Sequence, residues 1–242
     1  MNRVITCVIG LLLFGCGESP VDDPVEVPDV YKAIYGAEDM YVDGDFLVIQ
    51  SKDLPDHKSP YYENTEWAAT YYEAYNGSNP NFRLNPNRIQ EQSMTFRIPL
   101  NPSATSNNQA TGLGPIGISL NGVPFFNQYA GPNQPLTNEI DSFDQFNGHP
   151  QASGMFHYHI EPLHLTTEKG KNALLGFLLD GFPVYGPMEN GVSVEENDLD
   201  EFHGHMGVTD EYPEGIYHYH ITANDPYLNG NGYYGTPGTV SN

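Results

Sequence analysis

The sequence has little cysteine, little positive charge and no apolar run long enough to span a bilayer. Its 242 residues include only two cysteines, Cys7 and Cys16, so neither a disulfide nor a cysteine nucleophile is expected in the body of the chain. Nine Lys and Arg residues face 31 Asp and Glu residues, and the formal net charge is −22. A surface of this sign repels nucleic acid and anionic lipid, so no nucleic-acid partner is expected.

The chain begins with a pattern typical of export. An apolar run over residues 4–14 is too short for a transmembrane helix and ends in Leu13-Phe14-Gly15-Cys16, which resembles a bacterial lipobox. Residues 1–15 are therefore predicted to be a lipoprotein signal peptide, with Cys16 as the lipidated membrane anchor; an ordinary secretory signal is the alternative. Gly17, rather than Asp, after the cysteine favours the outer membrane in the cell envelope of a Gram-negative bacterium.

Behind the anchor, residues 16–30 are acidic and rich in proline, which predicts an extended tether. The remaining residues, 31–242, are enough for one domain with a core. Their β-branched and aromatic runs alternate with turn residues, which predicts a mainly β fold with few short helices. The best helix candidate covers residues 64–77, behind a Thr65 cap.

Two hairpins are predicted where Asn-Gly or Asp-Gly separates apolar runs. One covers residues 116–127 with Asn121-Gly122 at its turn, and the other covers residues 174–187 with Asp180-Gly181. Type I′ turns need positive φ at both central residues, and these residue pairs are the ones that favour them.

Three motifs recur in the same order along the domain. Each hairpin is followed by a Gly-His pair and then by a His-Tyr-His segment, at offsets of 59, 56 and 61 residues. Three ordered matches at nearly constant offset indicate a duplication. The predicted unit is a hairpin, a Gly-His loop and a His-x-His strand, over residues 116–160 and 175–221. The two units are expected to pack about a pseudo-twofold axis within a single sandwich- or barrel-like domain.

The repeated histidines suit a metal site. On a β-strand, residues i and i+2 face the same side, roughly 6.6 Å apart. His157 and His159 therefore face one way, as do His218 and His220, while Tyr158 and Tyr219 face the core. The Gly-His pair adds a third imidazole to each unit, from His149 and His205. Three imidazoles plus an open position suit zinc or copper.

Several alternatives stay open at this point. The histidines of a half-buried strand also serve simply as hydrogen-bond partners of the backbone. If they bind metal, the repeat allows two equivalent sites, one site shared at the axis, or one functional and one vestigial site. Asp144 and Asp200 are expected to orient imidazole N–H groups from behind.

These segments resemble the YHYH-domain family of exported bacterial proteins, over about residues 45–235. The likeness is carried by GIYHYHITANDPY (215–227), LLGFLLDGFPVYGP (174–187) and DLDEFHGH (198–205). It implies that His57, in Pro-Asp-His, is a further site candidate, together with Asp180; the favoured alternative for Asp180 is a turn residue chosen for positive φ.

The resemblance also points to a difference. The family often has a cysteine at the position of Phe202 and another near its C-terminus. If these pair in the family, this chain lacks the disulfide and holds residues 224–242 in another way.

Three functions compete. The first is an envelope lipoprotein that binds copper or zinc. The second is a metalloenzyme at the same site, either an oxidase or a hydrolase with Asp144, Asp200 or Glu161 as base. The third is a non-catalytic carbohydrate- or surface-binding module, for which the 17 tyrosines are suited to stacking on a glycan. The sequence has no Gly-x-Ser-x-Gly elbow and no His-Glu-x-x-His motif, which excludes those hydrolase classes.

Overall fold

The computed structural model describes residues 25–230 and 232–242, so the predicted signal peptide, Cys16 and most of the tether lie outside the described residues. The strands are β1 (Asp39–Asp43), β2 (Phe46–Ser51), β3 (Met94–Pro99), β4 (Pro115–Ser119), β5 (Pro124–Phe126), β6 (Tyr129–Ala130), β7 (Gln134–Pro135), β8 (Gly148–Pro150), β9 (Phe156–Tyr158), β10 (Leu174–Leu178), β11 (Pro183–Tyr185), β12 (Met188–Glu189), β13 (Val192–Ser193), β14 (Gly204–Gly207), β15 (Ile216–His220) and β16 (Thr239–Ser241).

Helices are few and short, as the sequence predicts. The α-helices are α1 (Ala68–Tyr71) and α2 (Leu163–Lys169). The 3₁₀ helices are Asp29–Ala33, Pro60–Tyr62, Leu136–Asn138, Ile140–Ser142 and Glu196–Asp198. The mainly β class is thereby confirmed.

The prediction of a helix over residues 64–77 is wrong except for a single turn. Only α1 is helical there, and Tyr72 is extended and forms a bridge with Ser59. Thr65 does not cap the helix, because its Oγ1 donates to the backbone oxygen of Tyr62. Aromatic side chains favour helices only weakly, and here packing of Tyr71 on Tyr62, at 5.3 Å between ring centroids, decides the backbone path.

An eight-stranded sheet carries both repeat units. Its strand order is β14-β15-β11-β10-β4-β5-β9-β8, so the four strands of each unit are neighbours in the sheet. The two units meet at the central antiparallel β4–β10 pair. In that pair, Ile118 lies opposite Phe177, which is its counterpart in the other unit. The register is therefore that of a pseudo-twofold axis through this pair, which confirms the predicted duplication.

Glycine is required on both sides of this axis. Gly117 lies opposite Leu178, and Gly176 lies opposite Ser119. A Cβ atom on Gly117 would collide with the backbone oxygen of Phe177, and one on Gly176 would collide with that of Ile118. The duplicated glycines let the two units approach at their shared seam.

The eight-stranded sheet does not close. Over the described residues its order ends at β14 on one side and β8 on the other, so the structure is not a barrel. A second sheet, in the order β1-β2-β3-β16, shares a single hydrophobic core with it, to which Leu47, Phe96, Phe125 and Phe177 all contribute. Burying one face of each sheet in this core stabilises the domain.

The hairpin turns differ from the expected type I′. The first is closed by Gly122 N–H donating to Ser119 O at 3.0 Å, and in each turn the glycine alone has positive φ. This is the geometry of a longer hairpin loop. Asp180 was favoured as a turn residue with positive φ, and that interpretation is wrong. Asp180 is buried, and its carboxylate accepts from Tyr219 O–H at 2.6 Å.

Ring stacking, hydrogen bonds of backbone N–H groups and a strand hold the C-terminal segment of this chain, which has no cysteine there. Tyr234 stacks on Tyr217 with ring centroids 3.6 Å apart. Gly235 N–H donates to Asp180 Oδ2 at 2.9 Å, and Gly238 N–H donates to Leu179 O at 2.8 Å. Strand β16 then pairs with β3, which fixes the end of the chain in the second sheet.

Candidate metal centres

Each His-x-His strand lies beside a short antiparallel strand that carries the Gly-His pair. In β8–β9, His149 lies directly opposite His157, and in β14–β15, His205 lies directly opposite His218. The Gly-His segments, expected as loops, are therefore strands. Directly opposed residues of an antiparallel pair bring their side chains together, so the pairing places two imidazole side chains next to each other in each unit.

An aspartate organises the turn before each Gly-His strand. Asp144 Oδ1 accepts from the backbone N–H groups two and four residues later, at 2.8 and 3.2 Å. Asp200 Oδ1 makes the same two bonds at 2.9 and 3.3 Å. These carboxylates were expected to orient imidazoles. They instead hold the backbone that places His149 and His205 on their strands.

The three histidines of each unit converge with one glutamate. The described residues contain two such clusters. The first centre comprises Glu139, His149, His157 and His159, and the second centre comprises Glu189, His205, His218 and His220. In each, one ligand atom per residue lies within 4.8 Å of the others. The two centres lie on opposite edge pairs of the sheet, so a single site shared at the axis is excluded.

The spacing of the ligand atoms fits one ion in each centre. In the first centre the Nε2 atoms of the two facing histidines are 3.0 Å apart, and Glu139 Oε1 lies 3.3 Å from His149 Nε2. In the second centre the facing Nε2 atoms are 3.1 Å apart, and the Glu189 oxygens lie 3.7 Å from each. Two ligand atoms bound at ~2 Å to a tetrahedral ion are roughly 3.3 Å apart.

Hydrogen bonds to carbonyl groups fix the tautomers of the strand histidines. In the first centre, His157 Nδ1 lies 3.3 Å from Met155 O, and His159 Nδ1 lies 2.5 Å from Asn127 O. A carbonyl oxygen only accepts hydrogen bonds, so each Nδ1 carries the hydrogen and each Nε2 carries a lone pair.

His149 reaches the same tautomer through a hydroxyl group. Its Nδ1 lies 2.7 Å from Ser142 Oγ, and that hydroxyl donates to Glu139 O at 2.7 Å. Because the hydroxyl hydrogen is already used, Ser142 accepts from His149 Nδ1–H. All three imidazoles of the first centre therefore direct Nε2 lone pairs at one another and at a carboxylate.

The second centre repeats this arrangement. His218 Nδ1 lies 3.0 Å from Ile216 O, and His220 Nδ1 lies 2.8 Å from Gly186 O. The Nε2 atoms of His159 and His220 are buried and have no hydrogen-bond partner among the described residues. Converging lone pairs repel one another and are costly to bury, and a cation bound between them removes both penalties.

Burial keeps the strand histidines neutral. It lowers the pKa of His159 and of His220 from the ordinary 6.5 to about 4. Burial also lowers the pKa values of His157 and His218. Neutral imidazole is the form that binds a metal ion, so these side chains need lose no proton to bind one at pH 7.

Aromatic rings enclose the first centre. Phe126 stacks on His157 with ring centroids 3.9 Å apart, and Phe143 lies parallel to His159 at 5.8 Å. Phe143 also meets His149 edge-on at 4.8 Å, and the His149 side chain is only 4% exposed. The three histidines are thereby separated from solvent, while the Glu139 side chain is 27% exposed.

The second centre faces a cleft. A cavity of about 410 Å³ is lined by Glu189, His218 and His220 together with polar side chains of neighbouring segments. His218 and His220 are themselves buried, whereas His205, which lines two neighbouring pockets, has a side chain that is 24% exposed, six times the value of its counterpart His149. Solvent therefore reaches this centre.

The remaining site candidates lie outside both centres. His57 is buried behind β9, where its Nε2 lies 3.0 Å from Tyr158 O–H and its ring packs on Phe146. Glu161 accepts from Thr166 O–H at 2.6 Å, so it is not beside either cluster as a base. His57 is therefore part of a core hydrogen-bond network in this structure.

Sequence reasoning missed both glutamates, because no repeat marks them. Glu139 lies between two 3₁₀ helices, whereas Glu189 lies on β12. At the hairpin offset, the counterpart of Glu189 is Ala130, so the carboxylate was not duplicated with the histidines. No spacing in the sequence distinguishes these two among its acidic residues.

A family model described as YHYH protein matches residues 95–195 and 188–232. These ranges contain all eight side chains of the two centres. No curated protein and no solved structure matches the chain. Between residues 25 and 242, Asn231 excepted, there is no helix with the length and apolar character needed to cross a membrane.

Proposed function

Because the chain belongs to the YHYH protein family, we propose that it is an exported protein that binds two divalent transition-metal ions, one in each centre. The observation that carries this proposal is the tautomer pattern. Five Nδ1–H groups are committed to carbonyl or hydroxyl acceptors, so their Nε2 lone pairs converge beside a carboxylate. Histidines that serve only as core hydrogen-bond partners have no need to direct these lone pairs at one another.

The ligand set favours zinc or copper as the divalent ion. Imidazole nitrogen binds both, and a carboxylate oxygen is a poor ligand for Cu(I), which prefers sulfur. Each centre offers three nitrogens and one oxygen, the donor number of a tetrahedral zinc site, and zinc expands to five-coordination where a further ligand reaches it.

The cellular location rests on the sequence. The proposed signal peptide and lipidated Cys16 place the domain in the cell envelope, held to the outer membrane by the acidic tether. In that oxidising compartment a small domain without disulfides gains from a bound metal.

Metal content tests the proposal. The full chain, purified in mild detergent without a polyhistidine tag and supplied with zinc or copper, is expected to hold two ions by elemental analysis. His157→Asn/His159→Asn and His218→Asn/His220→Asn each remove one ion, because asparagine retains a donor near the Nδ1 position and lacks Nε2.

His57→Asn/His164→Asn is the matched control, since it also replaces two histidines of the described domain and is expected to keep both ions. Folding of every variant is checked by circular dichroism. A folded wild-type chain that stays empty with every metal offered would refute the proposal, and so would equal loss in the control.

A further inference from the structure

The two units differ in the length of the hairpin between their facing histidines. His149 and His157 are eight residues apart, whereas His205 and His218 are thirteen residues apart. The extra five residues lengthen the β14–β15 connection, residues 208–215. Val208, Thr209, Asp210 and Glu211 from this connection line the cleft at the second centre.

A tyrosine holds this longer connection in place. At the hairpin offset, Tyr185 is the counterpart of Phe126, and its ring lies edge-on to His218 at 5.2 Å. Its hydroxyl donates to Glu211 Oε2 at 2.8 Å and lies 2.7 Å from Thr209 Oγ1. The second unit thus has a cleft wall where the first unit has only a short turn.

The glutamate oxygens of the second centre also lie farther from the imidazole nitrogens. Glu189 is 3.7 Å from both facing Nε2 atoms, compared with 3.3 Å for Glu139. His220 lines the cleft, and its Nε2 has no hydrogen-bond partner in the described part of the chain. The accessible side of an ion held here is at His205 and Glu189, whose side chains are 24% and 30% exposed.

We propose that the second centre, and not the first, binds a small external molecule directly on its metal ion through the cleft. This inference rests on the proposed function. The molecule is a hydroxylated or amide-bearing compound that gives an oxygen donor to the metal and N–H or O–H groups to the cleft wall. A cavity of about 410 Å³ suits a compound of small-metabolite size.

The cleft wall supplies this specificity. Its side chains are mostly hydrogen-bond acceptors or amides. They include Asp210, Glu211, Asn172 and Asn190, with Lys169 as the one cation among the described lining residues. Carboxylates favour a ligand that brings N–H or O–H donors over an anion that brings acceptors alone, which therefore binds more weakly.

Azide tests whether the metal is accessible. The full chain is loaded with Co²⁺, whose visible spectrum reports its coordination, and cobalt content is measured first. His157→Asn/His159→Asn, which keeps only the second centre, is expected to shift its spectrum saturably with azide, and His218→Asn/His220→Asn is expected not to respond.

The single variants His159→Asn and His220→Asn are the milder second pair if a double variant fails to fold. A cobalt-free wild-type chain refutes the proposed function. A loaded chain in which both centres or neither centre respond leaves the proposed function intact and overturns this inference.

Acetohydroxamate tests the proposed chemistry of the ligand, because it offers two oxygen donors and an N–H group. Asp210→Asn is expected to weaken acetohydroxamate binding at the second centre roughly five- to tenfold, while azide affinity does not fall because the change removes a negative charge. The control Asp45→Asn changes an exposed acid between β1 and β2, away from this cleft, and is expected to alter neither. Equal effects on both probes, or no effect, would overturn the proposed ligand class.

Discussion

The two centres have corresponding histidines on corresponding strands, yet they differ in how their surroundings enclose them. Phe126 and Phe143 cover the first, whereas Tyr185 and a longer hairpin open the second onto a cleft. Closed sites with four protein ligands are typical of structural metals, and sites with an accessible side are typical of reactive ones. The duplication thus preserved the three histidines and the strand register, while the carboxylates and the enclosing residues differ between the units.

We therefore propose a structural role for an ion bound in the first centre. Its ligands come from the edge strand β8, from β9 and the residue that follows it, and from Glu139 on the connection between β7 and β8. An ion bound there ties three segments together at the edge of the sheet. In a domain without disulfides this cross-link replaces the covalent one.

The largest expected effect is a loss of stability of the metal-free protein at acid pH. Both centres are expected to contribute to this loss equally. The folded pKa values of His159 and His220, about 4, lie below the ordinary value of 6.5. Between these values the unfolded chain binds more protons, so stability falls as the pH falls from 6.5 to 4, by about 3 kcal/mol for each histidine. Urea unfolding of the metal-free protein at pH 7, 5.5 and 4.5 measures this loss.

His159→Asn and His220→Asn are each expected to flatten about half of this pH dependence. If one variant removes it and the other leaves it unchanged, the two centres differ electrostatically and not only in exposure.

The next largest effect distinguishes the two centres by their contribution to thermal stability. Removing metal with a chelator is expected to lower the melting temperature mainly through the first centre, because the histidines of that centre are the ones packed between phenylalanine rings and buried from solvent. A ligand at 1,000 times its Kd stabilises by ~4 kcal/mol, which corresponds to roughly 8–16 °C for a domain of this size.

Thermal unfolding of the two double asparagine variants, with and without chelator, measures each centre by itself. The chain that keeps only the first centre should show the large drop. A larger drop in the chain that keeps only the second centre would reverse the structural assignment.

The repeat made much of this structure predictable. The hairpins, the pseudo-twofold arrangement and the facing pairs of histidines follow from residue types at fixed offsets, since strand periodicity decides which side chains share a face. The features that could not be predicted have no local signal in the sequence. Glu139 and Glu189 reach their centres from non-equivalent segments, and Asp144 and Asp200 were misjudged because a turn aspartate and an imidazole partner look alike in a sequence.

A third effect concerns the residues behind the centres, Asn121 and Asp180, which occupy matching positions. Burial raises the pKa of Asp180 to about 6, so its ionisation destabilises the fold as the pH rises from 4 through 6. Asp180→Asn is expected to gain stability over wild type by about 2–3 kcal/mol between pH 4 and pH 7. Urea unfolding of the metal-free proteins at both pH values measures the difference.

The reciprocal change, Asn121→Asp, is the control. It places a carboxyl group beside Asp56, whose Oδ1 now accepts from Asn121 at 3.0 Å, and is expected to destabilise at neutral pH. Stabilisation by both changes would show that the two positions are not electrostatic counterparts.

The smallest effect on stability is the sharpest test of the comparison. In the Asp-x-x-x-Gly-His alignment the counterpart of Phe143 is Leu199, so Phe143→Leu gives the first centre the second centre's residue. The change removes the parallel contact with His159 and the edge contact with His149, at a cost of about 1 kcal/mol. If enclosure alone distinguishes the centres, the cobalt-loaded first centre of this variant becomes responsive to azide. An unresponsive variant with normal cobalt content would mean that the ligand geometry, with Glu139 held close to His149, closes the first centre by itself.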